Sequence, residues 1–128
     1  MVDTEGLIIT VQVTGANVPD HYQVYDLVAA GKQRSPRLKR VWVDEGYQGN
    51  AVAQRITQEL DVHLTIVPKP PGKKGFTPLP RRWVVERTFA WLNHHRRLSK
   101  DCERQESTSE TMVRIVMIRL MLRRLARI

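Results

Sequence analysis

Cys102 is the only cysteine in 128 residues, which excludes an internal disulfide and any cysteine-built zinc site and points to a reducing interior. Its expected state is a partly buried thiol. The four histidines, His21, His63, His94 and His95, show no His-x-x-x-His spacing. On a helix the adjacent pair would point about 100° apart, so a zinc site is not expected. A phosphate-cradling loop is missing as well, because Gly72-Lys73-Lys74-Gly75 lacks the Walker pattern, and no Gly-x-Ser-x-Gly elbow occurs. The longest apolar stretch, Met112 to Leu125, is broken by Arg114, Arg119, Arg123 and Arg124; it is too short and too charged to cross a bilayer. Met1 to Gly6 has neither the basic region nor the apolar core of a signal peptide. Acids are also scarce. Thirteen Asp and Glu stand against 21 Lys and Arg, a formal charge of +8, and that balance favours a polyanionic partner such as DNA or RNA. By itself the charge would equally suit a ribosomal or membrane-surface protein.

What is present is enough for one ordinary core, with 41% hydrophobic residues, so a single domain or most of one is expected. Leu7 to Val13 is β-branched and nearly unbroken, which predicts a strand close to the first residue. Asp20 is placed to cap a helix ending at Gly31. Arg40-Val41-Trp42-Val43 predicts a short strand that stops at Asp44, Ala51 to Leu60 a helix, and His63 to Val67 another strand. Pro68 to Pro80 holds five prolines and two glycines and is therefore a basic loop. Arg81 to Leu98 predicts a helix. Ser107-Thr108-Ser109-Glu110 has capping-box spacing and opens a last helix, whose apolar residues wrap most of its circumference and suit a packed core helix or a subunit contact. Alternating strands and helices followed by two helices indicate an α/β domain in which helices cover a mixed sheet.

Two carboxylates stand out. Asp44 lies just past the end of an apolar strand, where α/β sheets hold ligands; Gly46 and Gly49 let the chain turn, and Tyr47 either packs that turn or stacks on a nucleotide. Glu86 lies in Arg82-Trp83-Val84-Val85-Glu86-Arg87-Thr88-Phe89-Ala90-Trp91-Leu92. Helical spacing brings Arg82, Glu86, Asn93 and Arg97 within a sector about 60° wide, with Val84, Trp91 and Leu98 on a different face. One acid among cations suits a helix that holds a metal with its carboxylate and a phosphate with its bases. It equally suits an Arg82 to Glu86 surface pair.

Val43-Asp44-Glu45-Gly46-Tyr47-Gln48-Gly49, the Arg82 to Leu92 segment and Arg96-Arg97-Leu98 together resemble the DDE transposases of bacterial insertion sequences, in the insertion-sequence-five-like group. Val2 to Leu7, Ala16 to Asp20 and Met117 to Leu125 are similar to the same family, so the resemblance covers essentially the whole chain. It implies a ribonuclease-H-like fold, a bacterial cytoplasmic setting at the nucleoid, and DNA cleavage and strand transfer at element ends with Mg²⁺ (or Mn²⁺). The partners it implies are the terminal inverted repeats and target DNA. Asp44 then corresponds to the family's second aspartate and Glu86 to its glutamate, both as catalytic metal ligands. Arg82 matches the arginine four residues before that acid, a DNA contact. Arg87, Arg96, Arg97, Lys73 and Lys74 are the further expected DNA contacts. Leu79 and Asn93 occupy the positions of the family's tyrosine and lysine, so those two roles do not carry over. The family's first aspartate lies upstream of the segment matching Val2 to Leu7. The chain therefore reads as the C-terminal part of the catalytic domain, inactive alone, needing a homo-oligomer or a missing N-terminal half. The alternative expectation is a non-catalytic DNA-binding or subunit-interaction fragment.

Overall fold

A computed structural model describes residues 1–19, 23–47, 50–68, 71–72, 81–100 and 102–127. Asp20, Lys73, Lys74 and Leu79 lie outside the described residues, as does most of the Pro68 to Pro80 segment. The chain is α/β. It divides into two compact units, one formed by Ala16–Trp83 and one by Met1–Gly15 with Val84–Ile128.

In the Ala16–Trp83 unit, α1 (Val24–Arg34) precedes β1 (Arg40–Val43), α2 (Asn50–Leu60) and β2 (His63–Ile66). The two strands are parallel, with Arg40 opposite His63 and Val43 opposite Ile66. Parallel strands need a long crossover, and α2 supplies it. Val24 and Val28, one turn apart on α1, are buried with Ile56 of α2 and Val62, the residue before β2. Ile56 and Val62 have no exposed surface; burying an aliphatic side chain of this size stabilises by roughly 1.5–3 kcal/mol. Gly31 does not end α1 as expected. Its carbonyl accepts the Ser35 N–H at 2.8 Å, and the helix stops at Arg34, just before Pro36, which bars the preceding residue from helical geometry. At the surface Arg55 pairs with Glu59 at 3.0 Å and lies over the Tyr25 ring, while Lys39 pairs with Asp61. The Tyr25 hydroxyl and Arg55 hold the Glu59 carboxyl below its ordinary range, and Lys39 does the same for Asp61.

The other unit holds the N-terminal segment with α3 (Arg82–Asn93, from Val84 on) and α4 (Glu106–Leu125). The strand expected over Leu7 to Val13 is absent. Its only ladder contact among the described residues is an antiparallel bridge between Val2 and Ile8. Local hydrogen bonds compete with the ladder: Asp3 Oδ1 accepts the N–H groups of Glu5 and Leu7, and Gly6 turns at a φ of 79°. Further along, side chains of α4 take the backbone groups a sheet would have used. Glu110 accepts the Val13 N–H at 3.0 Å, and Arg114 donates to the Val11 carbonyl at 3.4 Å. Glu110 is thereby drawn away from the expected capping box. Helix α4 starts at Glu106, behind Gln105, with no side-chain cap. It buries Val116 and Met117 and leaves Ile115, Ile118, Leu122 and Leu125 more than half exposed. Cys102, expected to be partly buried, is exposed.

Helix α3 buries Val84, Thr88 and Leu92, spaced one turn apart. The Thr88 hydroxyl donates to the Gly6 carbonyl at 2.6 Å, sharing its proton with the Val84 carbonyl. A Cβ on Gly6 would stand 2.9 Å from Thr88 Oγ1 and 3.1 Å from the Trp91 ring. Gly6→Ala therefore meets both a left-handed φ and a collision, and about 1–3 kcal/mol of stability should be lost. Urea unfolding should show a lower midpoint for the variant, and an unchanged midpoint would remove this turn from the account of how α3 is held.

Candidate functional site

Asp44 is the first residue after β1 and is exposed. Its Oδ1 accepts the Gly46 N–H at 3.2 Å and its carbonyl accepts the Tyr47 N–H at 3.2 Å. The side chain thus caps the short 3₁₀ turn Glu45–Tyr47. One carboxylate oxygen suffices for this, since an ionised carboxylate offers about four acceptor sites. A side chain at Gly46 would bring its Cβ to 3.3 Å from that oxygen, so the glycine keeps the capping geometry open. Tyr47 packs against the core of the Ala16–Trp83 unit.

Glu86 is exposed on α3, while the buried residues of the helix occupy another side. The burial comes from the spacing of Val84, Thr88 and Leu92. The expected apolar face of Val84, Trp91 and Leu98 overlooked Thr88, because a hydroxyl does not read as core. Its spacing from Val84 and Leu92, i+4 on either side, is the signal that would have found it. Arg82 is half-buried one turn before Glu86.

The expected cations separate into different settings. Arg87 is half-buried; its guanidinium donates to the Glu5 carbonyl at 2.8 Å and lies 4.9 Å from the centroid of the Trp91 ring, against which Arg124 also rests at 4.4 Å. Arg96 and Arg97 do not continue the α3 stripe. The helix ends at Asn93 and passes into turns in which His95 N–H bonds the Leu92 carbonyl and Leu98 N–H the His95 carbonyl. Asn93, His94 and His95 are mediocre helix formers, and the i→i+3 bonds are joined by a single i→i+4 bond, from the Ser99 N–H to the His95 carbonyl at 3.1 Å. Arg96 is exposed, and Arg97 is paired with Glu103 at 2.6 Å. That pairing raises the Arg97 pKa. Lys73 and Lys74 lie outside the described residues.

Asp44 and Glu86 are the oxygen donors a hard divalent cation takes. The chemistry of each carboxylate fits such an ion. Among the described residues no three His, Cys, Asp or Glu form a group that could hold a metal. No described helix is long and apolar enough to cross a membrane.

Residues 1–121 match the family described as Transposase DDE domain. The chain is also 34% identical over 110 residues to a protein named as a transposase for insertion sequence element IS402 from Burkholderia cepacia. That alignment covers 80% of this chain and 51% of the relative, so the chain spans about half the length of the curated protein it matches. No solved structure matches.

Proposed function

Because this chain belongs to the transposase DDE-domain family, we propose that it carries two of the three metal-binding carboxylates of an insertion-sequence transposase, Asp44 and Glu86, on part of a ribonuclease-H-like fold. The observation that carries the reading is the match over residues 1–121, within which Asp44 stands exposed at the end of a parallel strand and Glu86 exposed on α3. Asp44 and Glu86 would hold Mg²⁺ or Mn²⁺. When bound, the ion supplies activation of the attacking oxygen and charge stabilisation of the leaving one.

The chain's own residues then bind and orient DNA. Arg82 and Arg96 offer guanidinium groups to phosphate oxygens, the bidentate contact that suits arginine. Arg97 joins them if phosphate displaces Glu103, an exchange made easier by its 64% exposed side chain. Arg87 acts differently: its hydrogen bond and ring contact fix α3 and so set the direction of Glu86. A third carboxylate is required beyond the two named, and these 128 residues alone do not complete strand transfer. The exposed apolar residues of α4 favour a second role in the same setting, as a contact surface within a larger transposase assembly.

The purified chain, incubated with Mg²⁺ and inverted-repeat DNA, should neither nick nor join it. Metal-dependent joining that disappears in Glu86→Gln would show that these residues already contain a complete site. A salt titration of DNA binding separates the DNA-binding reading from an inert remnant, because phosphate-dominated binding weakens steeply as salt rises.

A further inference from the structure

Two residues other than glycine have a left-handed backbone among the described residues, Asp61 at a φ of 52° and Arg81 at 71°. Aspartate visits that region through local hydrogen bonds of its short side chain, whereas arginine does so only under strain that its surroundings must hold in place. Glycine would take the turn freely. The side chain of Arg81 shows what holds it there: the guanidinium lies over the Trp42 ring, 3.9 Å from its centroid. Both residues belong to the Ala16–Trp83 unit. Arg81 is exposed and Trp42 half-buried, so the stack is a clasp at the surface. Val41 packs against the core of the unit, and alternation along β1 therefore turns Trp42 to the other face of the sheet.

The clasp joins two positions that matter for DNA. Trp42 stands two residues before Asp44, on the strand that ends there, and Arg81 directly precedes Arg82, the first residue of α3. Resting on the reading of Asp44 as a metal carboxylate and Arg82 as a phosphate contact, we infer that Arg81 is a positioning residue. Its left-handed turn and its stack on Trp42 fix the backbone of Arg82 against β1, so that the Arg82 guanidinium meets the phosphate brought to Asp44. A long side chain loses rotamer freedom when it binds, and a fixed base lowers that cost. The edge of a stacked guanidinium can still reach a phosphate, and a direct contact by Arg81 is the competing outcome.

Salt slopes of duplex binding by the 128-residue chain, measured without divalent cation, separate the two. Arg82→Ala should flatten the wild-type slope by about 0.9, the value of one phosphate contact. Trp42→Leu should flatten it by about the same amount although no charge is removed. Arg81→Lys should do so although the charge is kept, because an ammonium does not reproduce the flat stack of a guanidinium. Adding Trp42→Leu or Arg81→Lys to Arg82→Ala should flatten the slope no further, since both act through Arg82. Trp42→Phe keeps an aromatic face and should keep the wild-type slope. A clasp with only a structural role would lower the urea midpoint and leave the slopes of Trp42→Leu and Arg81→Lys at the wild-type value. A wild-type slope in Arg81→Lys or in folded Trp42→Leu, or a double variant flattened by about 1.8, would overturn the inference while Arg82→Ala still reports its phosphate contact. Should Trp42→Leu lose its circular dichroism, Arg81→Lys and its combination with Arg82→Ala decide alone. An Arg82→Ala chain with the wild-type slope would overturn the reading of Arg82 and the inference with it.

Discussion

Raising monovalent salt from 50 to 200 mM should weaken binding of the chain to duplex DNA by roughly 500- to 2,000-fold, because each phosphate neutralised adds about −0.9 to the logarithmic salt slope. The range depends on how many of the expected cations reach phosphate. All six of Arg82, Arg87, Arg96, Arg97, Lys73 and Lys74 would give a slope of about −5.4, whereas five without Arg87 would give about −4.5. The structure favours the lower figure, since the Arg87 guanidinium is occupied by the Glu5 carbonyl and the Trp91 ring. Arg87→Ala should therefore keep the wild-type slope and lose about 2 kcal/mol of stability, from one charged hydrogen bond and one cation–π contact. Arg96→Ala should do the reverse, flattening the slope by about 0.9 with little effect on unfolding. Slopes from fluorescence anisotropy at four or more salt concentrations decide the matter. An Arg87→Ala slope flattened as much as that of Arg96→Ala would return Arg87 to the DNA surface.

The second large effect concerns the sign of Glu86. In the absence of divalent cation its carboxylate repels any phosphate brought to α3; with the cation bound between them, repulsion becomes attraction. Glu86→Gln should consequently tighten metal-free DNA binding and lose the gain that Mg²⁺ confers on wild type. The size of each change lies between the limits set by water and by a near-surface dielectric, about 5-fold and about 10³-fold for charges roughly 4 Å apart. Asp44→Asn should behave alike. Its amide oxygen still accepts the Gly46 N–H at the cap of the Glu45–Tyr47 turn, so the metal response should be lost with little change in stability.

The βαβ half of the structure was well marked in the sequence. Arg40 to Val43 and His63 to Ile66 are short apolar or β-branched runs bounded by turns, and the intervening helix begins within one residue of its expected start. There, local periodicity and tertiary packing agree. They disagree in the other unit. Leu7 to Val13 has the composition of a strand, yet Asp3 and Gly6 close a turn before it and α4 claims the backbone groups of Val11 and Val13. Those partners are about a hundred positions distant in sequence, and no window of local pattern contains them. The same long-range demand on Glu110 dissolved a well-formed capping box. Asp44 and Glu86 were identifiable as unusual acids from the residues around them, and the roles expected of them came from the resemblance, because no periodicity reports which acids share a site. The setting of Arg87 could not be read at all, since arginine beside a candidate site looks the same whether it faces phosphate or a carbonyl.

The most direct test of Asp44 and Glu86 as metal carboxylates is DNA affinity with and without Mg²⁺ at matched ionic strength, measured for wild type, Asp44→Asn, Glu86→Gln and the double variant. Mg²⁺ also competes for phosphates as a counterion, and the double variant reports that background. The account predicts that Mg²⁺ strengthens wild-type binding relative to the double variant, that each single variant loses most of this gain, and that Glu86→Gln alone binds more tightly than wild type when no divalent cation is present. An identical Mg²⁺ response in all four proteins would contradict it.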